Sequence, residues 1–217
     1  MVKSKLALIS SAVILCICMS FYFPYPTNKT IDARASFMML PIRDQDGYVV
    51  LGIIGSFLFI LAMILLGIGL KKYRVRTMII VILVYSILPT LLITMYQETL
   101  AKGIAAISYD GSGTCQFDHV SEDLLNGECS IVLHNRSSES VSFEIEFLDS
   151  FFPEDEVRME SLMNLNGPHI FTIEGNSEET IEVKALLDLT DVPNPIGGGT
   201  STGIHIKLIE GEDIRIL

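Results

Sequence analysis

Residues 48–97 read YVVLGIIGSFLFILAMILLGIGL, then KKYRVR, then TMIIVILVYSILPTLLITMYQ, and this stretch decides the fold. The first block (residues 48–70) and the last block (residues 77–97) contain no charged residue. An apolar run of about 20 residues is long enough to cross a bilayer core as an α-helix. The sequence therefore predicts a transmembrane helical hairpin over residues 48–97, with residues 71–76 as its turn.

The turn is basic, since four of its six residues are the cations Lys71, Lys72, Arg74 and Arg76. Short loops rich in Lys and Arg stay on the cytoplasmic side of a membrane. These four residues are therefore the predicted topology determinants. They place the turn in the cytoplasm, and they place the chain after residue 97 on the extracytoplasmic side.

The N-terminal segment, residues 1–23, is predicted to be a further transmembrane helix. Lys3 and Lys5 precede an uncharged run that ends in bulky aromatic residues, where a signal-peptide cleavage site needs small ones. We therefore expect a retained signal anchor, with a cleaved signal peptide as the alternative. Residues 24–47 carry three basic and three acidic residues, and this neutral loop is predicted to be extracytoplasmic.

Small, polar and helix-distorting residues in the hairpin mark the expected helix-packing positions. They are Gly52, Ser56, Ser86, Pro89, Thr90 and Thr94. Gly52 and Ser56 have the spacing that lets membrane helices approach closely. Ser86, Thr90 and Thr94 share one face of the third predicted helix. The proline predicts a kink, because it lacks a backbone donor. The predicted spans contain no charged residue, which argues against a transporter that acts alone.

Charge divides the chain at the end of the hairpin. Residues 1–97 carry nine Lys/Arg and three Asp/Glu, net +6, whereas residues 98–217 carry six Lys/Arg and 23 Asp/Glu, net −17. Such asymmetry indicates two domains in two environments. A strongly acidic domain repels nucleic acid and anionic headgroups. The expected partners are therefore the lipid bilayer around the helices and a protein on the extracytoplasmic side, without nucleic acid.

From residue 104 onward, apolar and polar residues alternate, which is the period of a β-strand with one buried face. Strands are predicted at residues 104–109, 129–134, 141–148, 170–174, 181–185, 204–208 and 214–217. Turn signals between them include Asp110-Gly111-Ser112-Gly113 and Asn126-Gly127. The predicted fold class is thus an α + β membrane protein, with three transmembrane helices followed by an all-β sandwich of the immunoglobulin or fibronectin type over residues 98–217.

Two cysteines, Cys115 and Cys129, fall in the predicted extracytoplasmic domain, where a disulfide is chemically permitted. The bridge would close a loop of about fifteen residues and contribute roughly 3 kcal/mol to stability. Two unpaired thiols are the alternative. The four histidines are dispersed, and no metal-ligand spacing occurs, so we expect no metal site.

The sequence contains no nucleophile elbow, phosphate-binding loop or nucleotide-binding fingerprint. We therefore expect neither an enzyme nor a bound cofactor. The leading hypothesis is a membrane-anchored extracytoplasmic binding or accessory protein that acts through its β-sandwich. The alternative is a membrane-embedded subunit of a transporter or signalling complex, docked through the polar face of the third helix.

Overall fold

The computed structural model describes residues 2–21, 35–38, 40–43, 48–121, 123–149 and 157–217. The chain forms two compact units, Met1–Met95 and Tyr96–Leu217. We call them the helical unit and the β unit. Most of the predicted loop at residues 24–47, and the end of the first predicted span at residues 22–23, lie outside the described residues.

The described part of the helical unit contains helices and a small β-hairpin. These elements are α1 (Lys5–Ser20), β1 (Ala35–Phe37), β2 (Leu40–Arg43), α2 (Val50–Gly69) and α3 (Arg74–Thr99). Helices α2 and α3 are long and apolar enough to cross a membrane. Helix α1 has 16 residues, roughly 24 Å in length, which is shorter than a typical span. The sequence did not predict the β1–β2 hairpin.

The connection between α2 and α3 is shorter than the predicted turn. Helix α2 ends at Gly69, and α3 begins at Arg74, so Arg74 and Arg76 lie in the first turn of a helix. Tyr73 precedes that helix with a φ of 63°. The cations of Lys72 and Arg76 lie 5.0 and 5.7 Å from the centre of the Tyr73 ring, within the range of a cation–π interaction.

Helices α1 and α2 run antiparallel and pack through small residues that repeat every seven positions on each helix. The hydrogen-bonded pairs are Ser4 N–H with Gly69 O at 3.2 Å, Ser11 Oγ with Ala62 O at 2.7 Å, and Cys18 Sγ with Gly55 O at 3.7 Å. We call this set the small-residue ladder. Because the repeat is seven residues, the same face of each helix stays turned toward the other. Small side chains at that face let the two backbones approach closely.

The first half of α2 also contacts the β1–β2 hairpin. A Cβ atom on Gly52 would lie 1.7 Å from the carbonyl oxygen of Pro41, so only glycine fits there. Leu40 is buried and packs against Gly55. Ser56 donates its hydroxyl to the Gly52 carbonyl at 2.7 Å, within the same helix. Glycines therefore serve both contacts of α2, one with the hairpin and one with α1.

The β unit contains two four-stranded antiparallel sheets. Its elements are a 3-10 helix (Gly103–Ala106), β3 (Ile107–Ser121), β4 (Leu124–Asn135), β5 (Val141–Leu148), a second 3-10 helix (Glu160–Asn166), β6 (His169–Ile173), β7 (Ser177–Asp188), β8 (Gly199–Thr202), β9 (His205–Glu210) and β10 (Asp213–Ile216). The β4 sheet has the order β7-β4-β3-β8, and the β5 sheet has the order β10-β9-β5-β6. Buried and exposed residues alternate along β4 and β5, as the sequence predicts.

Two turns predicted from glycine lie inside strands, and those predictions were wrong. The segment 110–113 is an irregularity within β3, where the pairing with β4 shifts between Tyr109 and Gly113. Asn126 and Gly127 lie within β4 and pair with neighbours on both sides. A Cβ on Gly127 would lie 2.6 Å from the Met163 sulfur. This glycine therefore permits close packing and does not form a turn.

The predicted disulfide is present, and it joins β3 to β4. Cys115 and Cys129 are direct partners in the strand register, and both are fully buried. The disulfide lies within the β4 sheet, whereas a hydrogen bond connects that sheet to the start of β9 in the other: the Tyr109 hydroxyl donates to the carbonyl of Ile204, just before β9, at 2.8 Å. Burial raises the pKa of Tyr109 above its ordinary value, so the phenol stays protonated and keeps its hydrogen.

We expect the Ala62→Leu substitution to destabilise the helical unit by about 1–3 kcal/mol, because extra volume in a packed contact forces the backbones apart. Ala62 is fully buried in the small-residue ladder. Thermal unfolding of the full chain in detergent would show a lower midpoint. The control is Leu61→Phe, which enlarges a residue that is 45% exposed on α2. Equal unfolding midpoints for the two variants would contradict the packing role of the small-residue ladder.

We expect the double substitution Cys115→Ala and Cys129→Ala to lower the free energy of unfolding by about 3 kcal/mol, because the unfolded chain regains the entropy of an open loop. Urea unfolding of the β unit within the full chain measures this change. The matched control is Cys16→Ala, which removes an exposed free thiol. If the double variant is as stable as the wild type, the disulfide does not stabilise the β unit and the prediction is wrong.

Candidate interaction surface

The outer faces of the two sheets have different chemistry. On the β4 sheet, most outward side chains of the four strands form polar rows, although Leu186 is also exposed there. Two of these rows are Glu182, Ser130, Thr114 and Thr202, and Lys184, Glu128, Gln116 and Thr200. The Lys184 ammonium contacts the carboxylates of Glu128 and Glu182, which raises its pKa. This face is typical of a sheet surface in water.

The outer face of the β5 sheet carries exposed isoleucines instead. One row crosses all four strands of this sheet. It consists of Ile214 on β10, Ile209 on β9, Glu144 on β5 and Ile170 on β6, each paired with the next in the strand register. Ile170 is 68% exposed, Ile214 56% and Ile216 41%, while Ile209 is half-buried. We call Ile170, Ile209, Ile214 and Ile216 the isoleucine strip. Exposed apolar side chains that adjoin one another on a soluble surface mark an interaction site.

A buried arginine fixes the strand that supplies two of these isoleucines. Arg215 is 7% exposed, and its Nη1 atom donates to the carbonyls of Ile104 (2.7 Å), Ala105 (3.0 Å) and Ile107 (2.5 Å). Burial lowers the pKa of Arg215 to about 10. Because neighbouring side chains in a strand point to opposite faces, an inward Arg215 turns Ile214 and Ile216 outward.

Two carboxylates and one ammonium interrupt the apolar surface. Lys207 on β9 contacts Glu146 on β5, with 2.7 Å between Nζ and Oε2. Glu144 lies in the same row as the isoleucines and is half-buried. Among the residues that the structure describes, Glu144 has no ion-pair partner. The row that holds Ile170, Ile209 and Ile214 therefore includes one carboxylate that forms no ion pair with any cation in the described parts of the chain.

A notch of about 270 Å³ adjoins the strip at one end of β6. It is lined by Glu144, Ile145, Glu146, Asn164, Gly167 and Pro168. The pairing of β5 with β6 stops at Ile145 and His169, and Pro168, the next residue on that side, has no N–H to continue it. The Asn164 side chain replaces the missing strand as hydrogen-bond partner of β5. It accepts from the N–H of Phe147 and donates to the carbonyl of Phe147, both at 2.8 Å.

A second cavity of about 350 Å³ lies beside the edge strand β8. Its walls come from Met159, Glu160, Ile196 and residues 199–202. Glu160 is buried, and its carboxylate accepts a hydrogen bond from the Ser201 hydroxyl. That bond gives the carboxylate a structural partner. Within the described parts of the chain, no cluster of His, Cys, Asp and Glu could hold a metal ion.

The residues singled out from the sequence lie elsewhere. The disulfide is buried under the β4 sheet, and the basic turn belongs to the helical unit. On α3, Ser86 is exposed and donates to the Ile82 carbonyl of its own helix at 3.0 Å. Thr90 is exposed, Thr94 half-buried and Pro89 buried. Tyr85, which the sequence did not single out, connects α3 to α1 by donating to the Leu15 carbonyl at 2.9 Å.

The sequence pattern around the candidate interaction surface is misleading. The alternation Ile214-Arg215-Ile216 predicts a strand, and an arginine between two isoleucines is usually read as the outward residue. The structure inverts that orientation, because the three backbone carbonyls provide an inward partner for Arg215.

No family model matches this chain, and the comparisons with curated proteins and with solved structures find no similar protein.

We expect Asn164→Ala to destabilise the β unit by about 1–3 kcal/mol, because it leaves the Phe147 N–H and carbonyl without their partner. The wall of the notch would loosen with it, which faster amide exchange at Phe147 would report. The control is Asn166→Ala, since Asn166 makes one exposed hydrogen bond, to the Leu186 carbonyl. Unchanged exchange at Phe147 in Asn164→Ala would contradict this role.

Proposed function

We propose that this chain is a membrane-anchored binding protein whose β unit engages a protein partner on the extracytoplasmic side. The isoleucine strip carries the proposal, because it leaves three isoleucines between 41% and 68% exposed in a strongly acidic domain. Such a surface gains free energy when a partner removes it from water.

The side-chain distribution in the helical unit supports the membrane anchor. The small residues of the ladder lie at the contact between α1 and α2, and large apolar side chains lie on the exposed surface of the two helices. The exposed ones include Leu6, Ile9, Val13 and Ile17 on α1 and Ile54, Phe57, Ile64 and Ile68 on α2. In water this arrangement is unfavourable, whereas in lipid the apolar exterior is solvated and small interior residues promote helix contact. We propose that all three helices cross the bilayer, as the apolar lengths of residues 6–23, 48–70 and 77–97 indicate.

The strand order supports an immunoglobulin-like sandwich for the β unit. The series β7-β4-β3 corresponds to strands E-B-A of such folds, and β10-β9-β5-β6 corresponds to G-F-C-C′. Strand β8 is an addition beside strand A. The disulfide joins A to B, where antibody domains join B to F. The proposed similarity is therefore one of topology, and function is argued from the isoleucine strip.

The alternative function, a membrane-embedded subunit that docks through α3, has one observation in its favour. Only 11% of the most apolar part of α3 is buried within the described structure. Lipid would cover that exposed surface as well as a partner helix would, and Ser86 already bonds within its own helix. The binding protein is therefore our conclusion.

We expect a cysteine introduced by Glu212→Cys to react with a membrane-impermeant maleimide in intact cells, because the proposed topology places the exposed turn before β10 outside. A cysteine introduced by Lys72→Cys, in the basic connection, should react only after the membrane is permeabilised. Both variants carry Cys16→Ala and Cys18→Ser to remove the free thiols. The reverse pattern would overturn the proposed orientation and the extracytoplasmic partner with it.

A further inference from the structure

We propose that the isoleucine strip and the notch together bind a protein segment that combines apolar residues with a Lys or Arg. In this inference, which rests on the proposed function, the apolar residues cover the isoleucines and the basic side chain enters the notch beside Glu144. The partner is thereby defined by its chemistry, as an apolar and basic segment.

The geometry of the strip suits an extended or helical segment. Ile214, Ile209, Glu144 and Ile170 occupy one row across all four strands of the β5 sheet. Neighbouring strands lie about 4.8 Å apart, so the row is about 14 Å long. A segment laid along it would meet isoleucine at both ends and a carboxylate between them.

The size of the notch indicates a side chain as its occupant. Its volume of about 270 Å³ is below the roughly 300–1,000 Å³ of most small-molecule sites. Glu144 and Glu146 line it, and Lys207 already offsets the charge of Glu146. A Lys or Arg that reached Glu144 would form a charge-assisted hydrogen bond, which is about twice as strong as a neutral one.

Charge distinguishes a basic partner from a second copy of this chain. Residues 98–217 have a net charge of −17, so two β units brought face to face would repel each other. An anionic membrane surface is disfavoured for the same reason. A partner segment with Lys or Arg is attracted by the same negative field, which raises its rate of association, and its cation pairs with Glu144 in the complex.

The test uses the full chain in lipid nanodiscs and three synthetic peptides as probes. One peptide alternates isoleucine with lysine, the second replaces its isoleucines with serine, and the third replaces its lysines with glutamate. We expect calorimetry to detect binding of the first peptide only. Glu144→Gln and Ile170→Ser should each weaken that binding by about tenfold or more, since each removes one of the two recognised features.

Matched controls on the β4 sheet make the test specific. Glu178→Gln removes an exposed charge there, and Leu186→Ser removes a side chain that is 54% exposed. Neither should change the affinity. If these controls weaken binding as much as the strip variants do, or if the isoleucine–lysine peptide does not bind, the inference is overturned. A dimer of the wild type that Ile170→Ser abolishes would also overturn it, in favour of self-association.

The maleimide experiment separates this inference from the proposed function. Labelling reports on which side of the membrane the β unit lies, whether or not a peptide binds. Failed peptide binding with correct labelling would leave the anchored binding protein in place and remove only the basic partner. Inverted labelling would remove the extracytoplasmic partner even if the peptide bound.

Discussion

Side-chain donors that satisfy backbone carbonyls hold both units in shape. In the helical unit, Ser11 and Cys18 donate across to carbonyls of α2. In the β unit, Arg215 satisfies three carbonyls around the first 3-10 helix, and Asn135 donates to the carbonyls of Glu139 and Ile173. A buried polar group without a partner costs about 1–3 kcal/mol. These bonds therefore decide which side chains point inward and which apolar side chains are left outside.

The two units leave apolar surface exposed in different ways, and the difference bears on what covers it. On α1 and α2 the exposed apolar side chains lie opposite the small-residue ladder, and Lys5 at the start of α1 is the one charged residue of these two helices, as suits a lipid environment. On the β unit, the isoleucine strip lies on the outer face of the β5 sheet, with Glu144 in the same row. A carboxylate in that position is unsuited to lipid. A protein with a complementary cation fits both features.

Periodicity made much of this structure predictable, and packing made the rest unpredictable. The charge-free runs indicated α2 and α3, and the alternation indicated most strands of the β unit. Gly127 led to a wrong prediction of a turn. In the sequence, a glycine that makes room for the Met163 side chain cannot be distinguished from a glycine in a turn. The proposed interaction surface was missed for a similar reason. The inward orientation of Arg215 depends on carbonyls more than 100 residues away along the chain, and no local pattern reveals them.

The acidity of the β unit and its apolar strip act together. An exposed strip would invite self-association of an uncharged domain, whereas like charge on every copy opposes that encounter and keeps the strip available. The same charge would attract the proposed basic partner, and Glu144 would then add a requirement at the contact itself. A purely apolar competitor would bury this carboxylate without a partner, at a cost of several kcal/mol. In the proposed complex, selectivity would come as much from the apolar partners that Glu144 disfavours as from those that the isoleucines attract.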